Sequence, residues 1–337
     1  MVGGAIGDAL AYPRRYMSRD ALEDLIGPNG INRMIVNKAV GKALISDDTQ
    51  LTAFTADGLI WADARARKSG IYAYVPCMFY AYQKWLYTQT GSFADKSYEF
   101  LLKGEIFRWE DLFARRLPSA ATLDVLNGCI NGKYGNMKQS VNNNNSYGPV
   151  ARVAPVGMYF ANDPKMAFKM GCENAALTHG NPEAWFAAGY FAALIAFILQ
   201  GEELELAARN AFAILKEQPF SGEVQGFVDA AISLSAVDMI DFDEAMKAFP
   251  ASKEAGQSLG IALYCALRYR HDFEKALRQA ANAVPVSNGA CTICGSILGA
   301  YLGSLEIPYD WIRQVELSDL MIYGADRLLE GALNPAE

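Results

Sequence analysis

The chain is poor in histidine: its 337 residues hold only His179 and His271. A His-rich zinc site is excluded, and a Ser-His-Asp triad would have to use one of these two imidazoles. No long basic run occurs, and the formal net charge is -7 with a pI near 5.1. Nonspecific nucleic-acid binding, which rests on Lys and Arg neutralising phosphates, is therefore not expected. The longest apolar run, Ala184 to Leu199, has 16 residues. A bilayer crossing needs roughly 20, so this run reads as a buried helix and no membrane partner is expected. No basic n-region precedes an apolar stretch at Met1, so no signal peptide is read there. The six cysteines, at 77, 129, 172, 265, 291 and 294, show no disulfide-scaffold spacing. Reduced thiols and a cytoplasmic location are the expectation.

Repeats and Pro/Gly/Ser-rich linkers are also absent, and alternating β patterns nearly so. Helical periodicity dominates, with candidates at 46–66, 71–88, 165–179, 182–200, 203–217, 221–234, 253–268, 272–283 and 289–303. The expected fold is all-α, as one compact helical domain over 1–337. One low-complexity tract, Val141 to Gly157, carries four consecutive asparagines and then Gly148, Pro149 and Pro155. It cannot continue a helix. It is either a surface loop or a binding loop held by the helices around it.

Two short motifs carry chemistry. In "ISDDTQLT", Ser46 is a good N-cap, and Asp47 and Asp48 would occupy the first turn, where carboxylates favour the helix dipole. The same hydroxyl and two carboxylates could converge on a hard cation, which prefers oxygen ligands and needs partners from elsewhere in the chain. Cys291 and Cys294, in "CTIC", have redox spacing, yet they sit in the small-residue helix pattern "ACTICGSILGAYLG". That pattern points to close helix packing rather than thiol exchange.

Six segments in order resemble one family, the ADP-ribosylglycohydrolases, relatives of the dinitrogenase reductase-activating glycohydrolase. "GGAIGDALAYP" resembles the opening G-x-x-x-G-D-A-L-G motif, and "ALISDDTQLTAFTADGL" contains a match to its S/T-D-D-T metal motif. "RLPSAATLDVLNG" resembles R-x-P-G-x-x-T, "SYGPVARVAPVGMYF" resembles S-N-G-A-A-M-R-x-A-P, and "LTHGNPEAWFAAGYFAALI" resembles the T-H-G-x-P helix. "ANAVPVSNGACTICGSILGAYLGSLEIPYDW" resembles the closing A-N-x-G-x-D-T-D-T stretch with its small-residue helix and P-x-x-W. The resemblance implies an all-α fold with a dinuclear Mg²⁺ (or Mn²⁺) cleft that hydrolyses ADP-ribose conjugates, the metals orienting ribose and water. It places Ser46, Asp47 and Asp48 in the first metal set, with Asp47 and Asp48 also the catalytic candidates. It places Asn145, Ser146 and Gly148 in the ribose and phosphate loop, and Arg152 and His179 at motif positions that could be structural.

The sequence departs from this pattern at the second metal set. The two closing aspartates fall on Val286 and Asn288, the hydroxyl after them falls on Gly289, and Arg15 stands where the family has a Glu. Three lost carboxylates and one gained guanidinium change the charge by about +4, what two Mg²⁺ ions would supply. Arg15 is thereby expected to pair with Asp47 or Asp48 in a metal-free cleft, and with Asn288 to line it. The expected cofactor is at most one weakly held Mg²⁺ (or Mn²⁺) at Ser46, Asp47 and Asp48, or none. The expected partner is ADP-ribose, or an ADP-ribosylated small molecule or protein. The replaced ligands leave three functional classes open: a binding protein with dinuclear hydrolysis lost or strongly altered, a one-metal hydrolase, or a structural descendant without ligand.

Overall fold

The computed structural model describes residues 1–28, 30–249, 254–283 and 287–333. Among these, the one sheet is a two-stranded hairpin, Val36–Asn37 paired antiparallel with Lys42–Ala43, and every long element is a helix. The all-α expectation holds. Each candidate helix is present, with ends displaced by no more than three residues. The reading missed the first helix, Val2–Ala11, the last, Ser318–Leu333, and shorter ones such as Arg19–Ile26 and Ala120–Gly128. It is also corrected in the Val141 to Gly157 tract, where short helices form at Gly148–Ala151 and Ala154–Tyr159, each with proline in its first turn, where its missing N–H costs nothing. Glycines at 3, 4 and 7 hid the first, since glycine disfavours helix when nothing packs against it.

The apolar run forms the Pro182–Leu199 helix, started by the Asn181 side chain accepting from the Glu183 amide, with Pro182 in the first turn. By length and hydropathy it could cross a membrane, but 83% of it is buried inside the fold. It packs against Pro164–Ala176 on one side and Leu204–Lys216 on the other, which explains why it is apolar all round.

Two further contacts position the site. Val2–Ala11 lies against Ser287–Leu302 at a distance only glycine permits. A Cβ on Gly7 would stand 2.1 Å from the Cys291 carbonyl oxygen, and one on Gly295 would stand 2.1 Å from that of Gly3. "CTIC" belongs to this interlock, which accounts for its small residues. The other contact sets Asp47–Ser69 against Tyr74–Thr90. Ser46 caps the former, its hydroxyl oxygen accepting from the Asp48 amide at 3.2 Å. The helix ends at Gly70, whose φ of 66° is the left-handed region glycine favours.

Candidate functional site

The start of Asp47–Ser69, the start of Ser287–Leu302 and the segment from Ser146 through the short Gly148–Ala151 helix into Arg152 meet around a cavity of about 630 Å³. Arg14, Arg15, Leu117, Ser119 and His179 complete its wall. The cap and the site are thus not alternatives: a first-turn carboxylate is near the dipole and, on this helix, at the cavity as well.

Asp8 anchors the floor. It is fully buried, and its Oδ2 accepts from the Ser46 amide (2.8 Å), the Thr49 amide (3.2 Å) and the Thr49 hydroxyl (2.6 Å). Its Oδ1 accepts from Asn288 Nδ2 at 3.2 Å. Asp47 Oδ1 accepts from Arg15 Nη1 at 3.0 Å, and its Oδ2 from the Ser119 amide at 2.9 Å. Asp48 Oδ2 accepts from Asn288 Nδ2 at 2.9 Å. Arg15 also donates to the Leu117 carbonyl at 2.8 Å, so the pairing with Asp47 expected from the charge balance is present.

Burial raises the pKa of Asp47, against the pull of Arg15 and the Ser119 amide. Burial, then the charges of Asp47 and Asp8, hold Asp48 well above the usual carboxylate range. Burial works against the charge on Arg15, but Asp47 and Asp48 outweigh it and raise its pKa. Asp8 changes the charge account from sequence, which counted Asp47 and Asp48 alone: a third buried carboxylate lies beneath the cleft, joined to Asp48 through the Asn288 amide.

The opposite wall is a hydrogen-bond relay from Ser146 through an uncharged imidazole to the Arg152 guanidinium. Ser146 Oγ lies 2.9 Å from His179 Nε2, and His179 Nδ1 lies 2.9 Å from the Thr178 hydroxyl. Thr178 in turn accepts from Arg152 Nη2 at 2.9 Å. Burial, with Arg152 nearby, pushes His179 down to about 3. An imidazole so depressed is a poor general base at neutral pH, and a threonine stands where a triad has its carboxylate. His179 therefore orients Ser146 toward the cavity. Arg152 is fully buried, its guanidinium 4.4 Å from the Tyr82 ring centroid.

Of the residues singled out from sequence, Arg15, Asp47, Asp48, Ser146, Gly148, Arg152, His179 and Asn288 line this cavity. Ser46 lies directly beneath, with Asn288 Nδ2 3.5 Å from its hydroxyl. Asn145 is not brought to the cavity: its Nδ2 donates to Glu183 Oε2 at 2.7 Å. Glu183, Glu223 and Glu254 form a second group of carboxylates within 4.8 Å of one another. Val286 lies outside the described residues. Cys291 and Cys294 are fully buried, and burial raises both thiols.

Sequence reasoning missed Asp8, Ser119 and Tyr147. Asp8 had a signal, a lone charge inside the run "GGAIGDALA" on what proves a buried helix. The reading also passes over one G-x-S-x-G string, Gly256 to Gly260. It lies inside the Ala255–Arg268 helix with Ser258 fully buried, so it is no nucleophile elbow.

The residues present do not fit two metal ions. Both Asp47 oxygens and both Asp8 oxygens are already acceptors for protein donors. Asn288 turns its amide nitrogen to the carboxylates, and Gly289 offers no ligand. A single cation meets fewer obstacles: Asn288 Oδ1 is buried without a partner among the described residues, and a turn of the amide would exchange it for the Nδ2 that now faces Asp48 and Ser46.

No curated protein matches the chain. Among solved structures, one titled "ADP-ribosylglycohydrolase-related protein complex" superposes with a TM-score of 0.64 at 21% identity, over 98% of this chain and 95% of that one. At that identity the likeness speaks for the fold alone. The model of one family, ADP-ribosylglycohydrolase, matches residues 1–336, and the chain belongs to the ADP-ribosylglycohydrolase family.

Proposed function

We propose that the cleft binds ADP-ribose, or the ADP-ribosyl end of a modified small molecule or protein, with dinuclear-metal hydrolysis lost or strongly altered. The observation that carries this reading is the engagement of both Asp47 oxygens by Arg15 and Ser119, with Asn288 presenting a donor where a ligand pair would need acceptors. The cavity volume, about 630 Å³, is in the range of small-molecule sites. Arg14 and Arg15 at its rim supply guanidinium groups, well suited to a diphosphate. Ser146, held by a neutral His179, supplies an oriented hydroxyl for a ribose or phosphate oxygen. The free, buried cysteines fit the reducing, cytoplasmic setting we infer for it.

The test is calorimetric titration of ADP-ribose into the protein in chelator. Micromolar to low-millimolar binding that Ser146→Ala and Arg15→Met weaken supports the reading; no heat at millimolar ADP-ribose sinks it. A second reading, a hydrolase with one Mg²⁺ (or Mn²⁺), is favoured by the unpartnered Asn288 Oδ1 and the raised proton affinity of Asp48. Ser46, Asp47, Asp48 and Asn288 would hold that ion, which would supply Lewis-acid polarisation of a ribose oxygen or water. Release of free ADP-ribose from an ADP-ribosylated peptide, dependent on Mg²⁺ and abolished by chelator, would decide for this second reading.

A further inference from the structure

Tyr147 stands between Ser146 and Gly148, and its ring takes up the space over Gly289. A Cβ built on Gly289 would stand 2.3, 2.5 and 2.7 Å from Cδ2, Cγ and Cε2 of the Tyr147 ring. Real Cβ atoms do not approach other atoms so closely, so a side chain at 289 and the ring in this place exclude each other. Neither backbone is free to give way. The Ser287–Leu302 helix is locked against Val2–Ala11, where Gly7 and Gly295 meet opposing carbonyls. On the other side, the Ser146 amide donates to Asn144 Oδ1 at 2.8 Å, the Ala255 amide donates to the Asn145 carbonyl at 2.8 Å, and the Ser146 hydroxyl is tied to His179. Pro149 then starts the next turn. The atoms in conflict include Cγ, the root of the ring, so a small adjustment at its tip gives no relief. Only rotation of the whole side chain out of the cavity would.

We propose that Tyr147 is a positioning residue that closes the Asn288–Gly289 end of the cleft, so that the carboxylates accept one cationic group at a time, the Arg15 guanidinium or a single divalent ion. The inference rests on the reading of this cleft as adapted away from paired cations. It adds the physical reason that restoring ligands on the Ser287–Leu302 helix is not enough. Gly289 is the complement that makes room for the ring, and the two positions act as a pair.

A double-mutant cycle in chelator tests the packing without reference to ligand or metal. Gly289→Ala should lower the melting temperature by about 2–4 °C, the cost of overpacking spread over a chain of this size. Tyr147→Ala should remove most of that loss in the double variant, and Tyr147→Phe, which keeps the ring, should not. If Gly289→Ala prevents folding, the Tyr147→Ala double variant should restore it. Additive effects, a neutral Gly289→Ala, or failure of Tyr147→Ala to rescue would overturn the pairing. Cation access is read by Mn²⁺ titration of Asn288→Asp/Gly289→Thr with and without Tyr147→Ala. Affinity at least tenfold higher when the ring is absent supports the proposal, and equal affinity overturns it even where the packing coupling is found. Two tight Mn²⁺ ions on the unaltered chain would instead overturn the reading beneath it.

Discussion

Replacing Arg15 by methionine removes the guanidinium while keeping most of the side chain's length. The Arg15–Asp47 pair has its charged atoms 3.0 Å apart, with side chains 26% and 5% exposed. At an effective dielectric of 20 the Coulomb attraction at this separation is about 5 kcal/mol, an upper bound. Partial exposure of Arg15 and its own desolvation reduce this. Breaking a buried pair costs about 3–5 kcal/mol and a surface pair about 0–1. A pair between these limits should cost about 2–3 kcal/mol, which for a chain of this length lowers the melting temperature by about 3–4 °C. The pH dependence has a definite sign. Asp47 and Asp48 have folded pKa values raised by burial, so the folded state holds protons that the unfolded state has already released. Their contribution is greatest below the unfolded value of about 3.8 and is lost as pH rises through the folded values. Arg15 opposes that loss, so the gap between Arg15→Met and the parent should be small near pH 4 and largest at pH 7 and above. The assay is thermal melting in chelator across that range. A gap under about 1 °C at pH 7, or one that does not change with pH, would refute the assignment of Arg15 as the cleft's counter-charge.

Asp8→Ala leaves the Ser46 and Thr49 amides without their acceptor and should cost about 3 kcal/mol or more by urea unfolding; a loss under about 1 kcal/mol contradicts its anchoring role. His179, pushed down to about 3, should keep its neutral-ring NMR shifts from pH 8 to pH 4.5. Because its folded value lies below the unfolded value near 6.5, the unfolded state gains the proton first, and stability should fall by about 1.4 kcal/mol per pH unit as pH drops below 6.5; His179→Gln should flatten that slope. All six thiols are free and buried, so a thiol reagent should label them only on unfolding, and rapid labelling of Cys291 or Cys294 in the native protein would reopen the redox reading.

The helices were legible because burial on one face leaves a period in the sequence, and the Pro182–Leu199 segment because burial on all faces leaves a run. Val2–Ala11 was not legible from periodicity, since its stabilisation comes from a partner helix some 280 residues away whose own glycines are equally uninformative until the two are docked. The site divides the same way. Ser46, Asp47, Asp48 and Ser146 stand in contiguous motifs, and Arg15 was found through its departure from one. Asp8 stood in a motif but was not counted, because a single aspartate on a helix carries no sign of the four donors that converge on it. Tyr147 and Gly289 could not be found as a pair at all, because shape exclusion between loop and helix leaves no spacing rule.

Counting charge and counting space lead to the same region of the cleft by independent routes. Charge alone would allow a divalent ion to replace Arg15, since Asp48 is held well above its ordinary proton affinity and any cation nearby would lower the cost of ionising it. Space restricts where that ion could sit, because the Tyr147 ring stands against Gly289 and Asn288 already bridges Asp8 and Asp48 through one amide nitrogen. An ion entering beside Asp48 would therefore compete with the Asn288 amide for the same carboxylate oxygen. It could recover the Asn288 carbonyl oxygen as a ligand only if the amide turned over. One cation and one amide flip form a coupled step, and that coupling would make metal affinity low in this cleft even though its carboxylates are close together and buried.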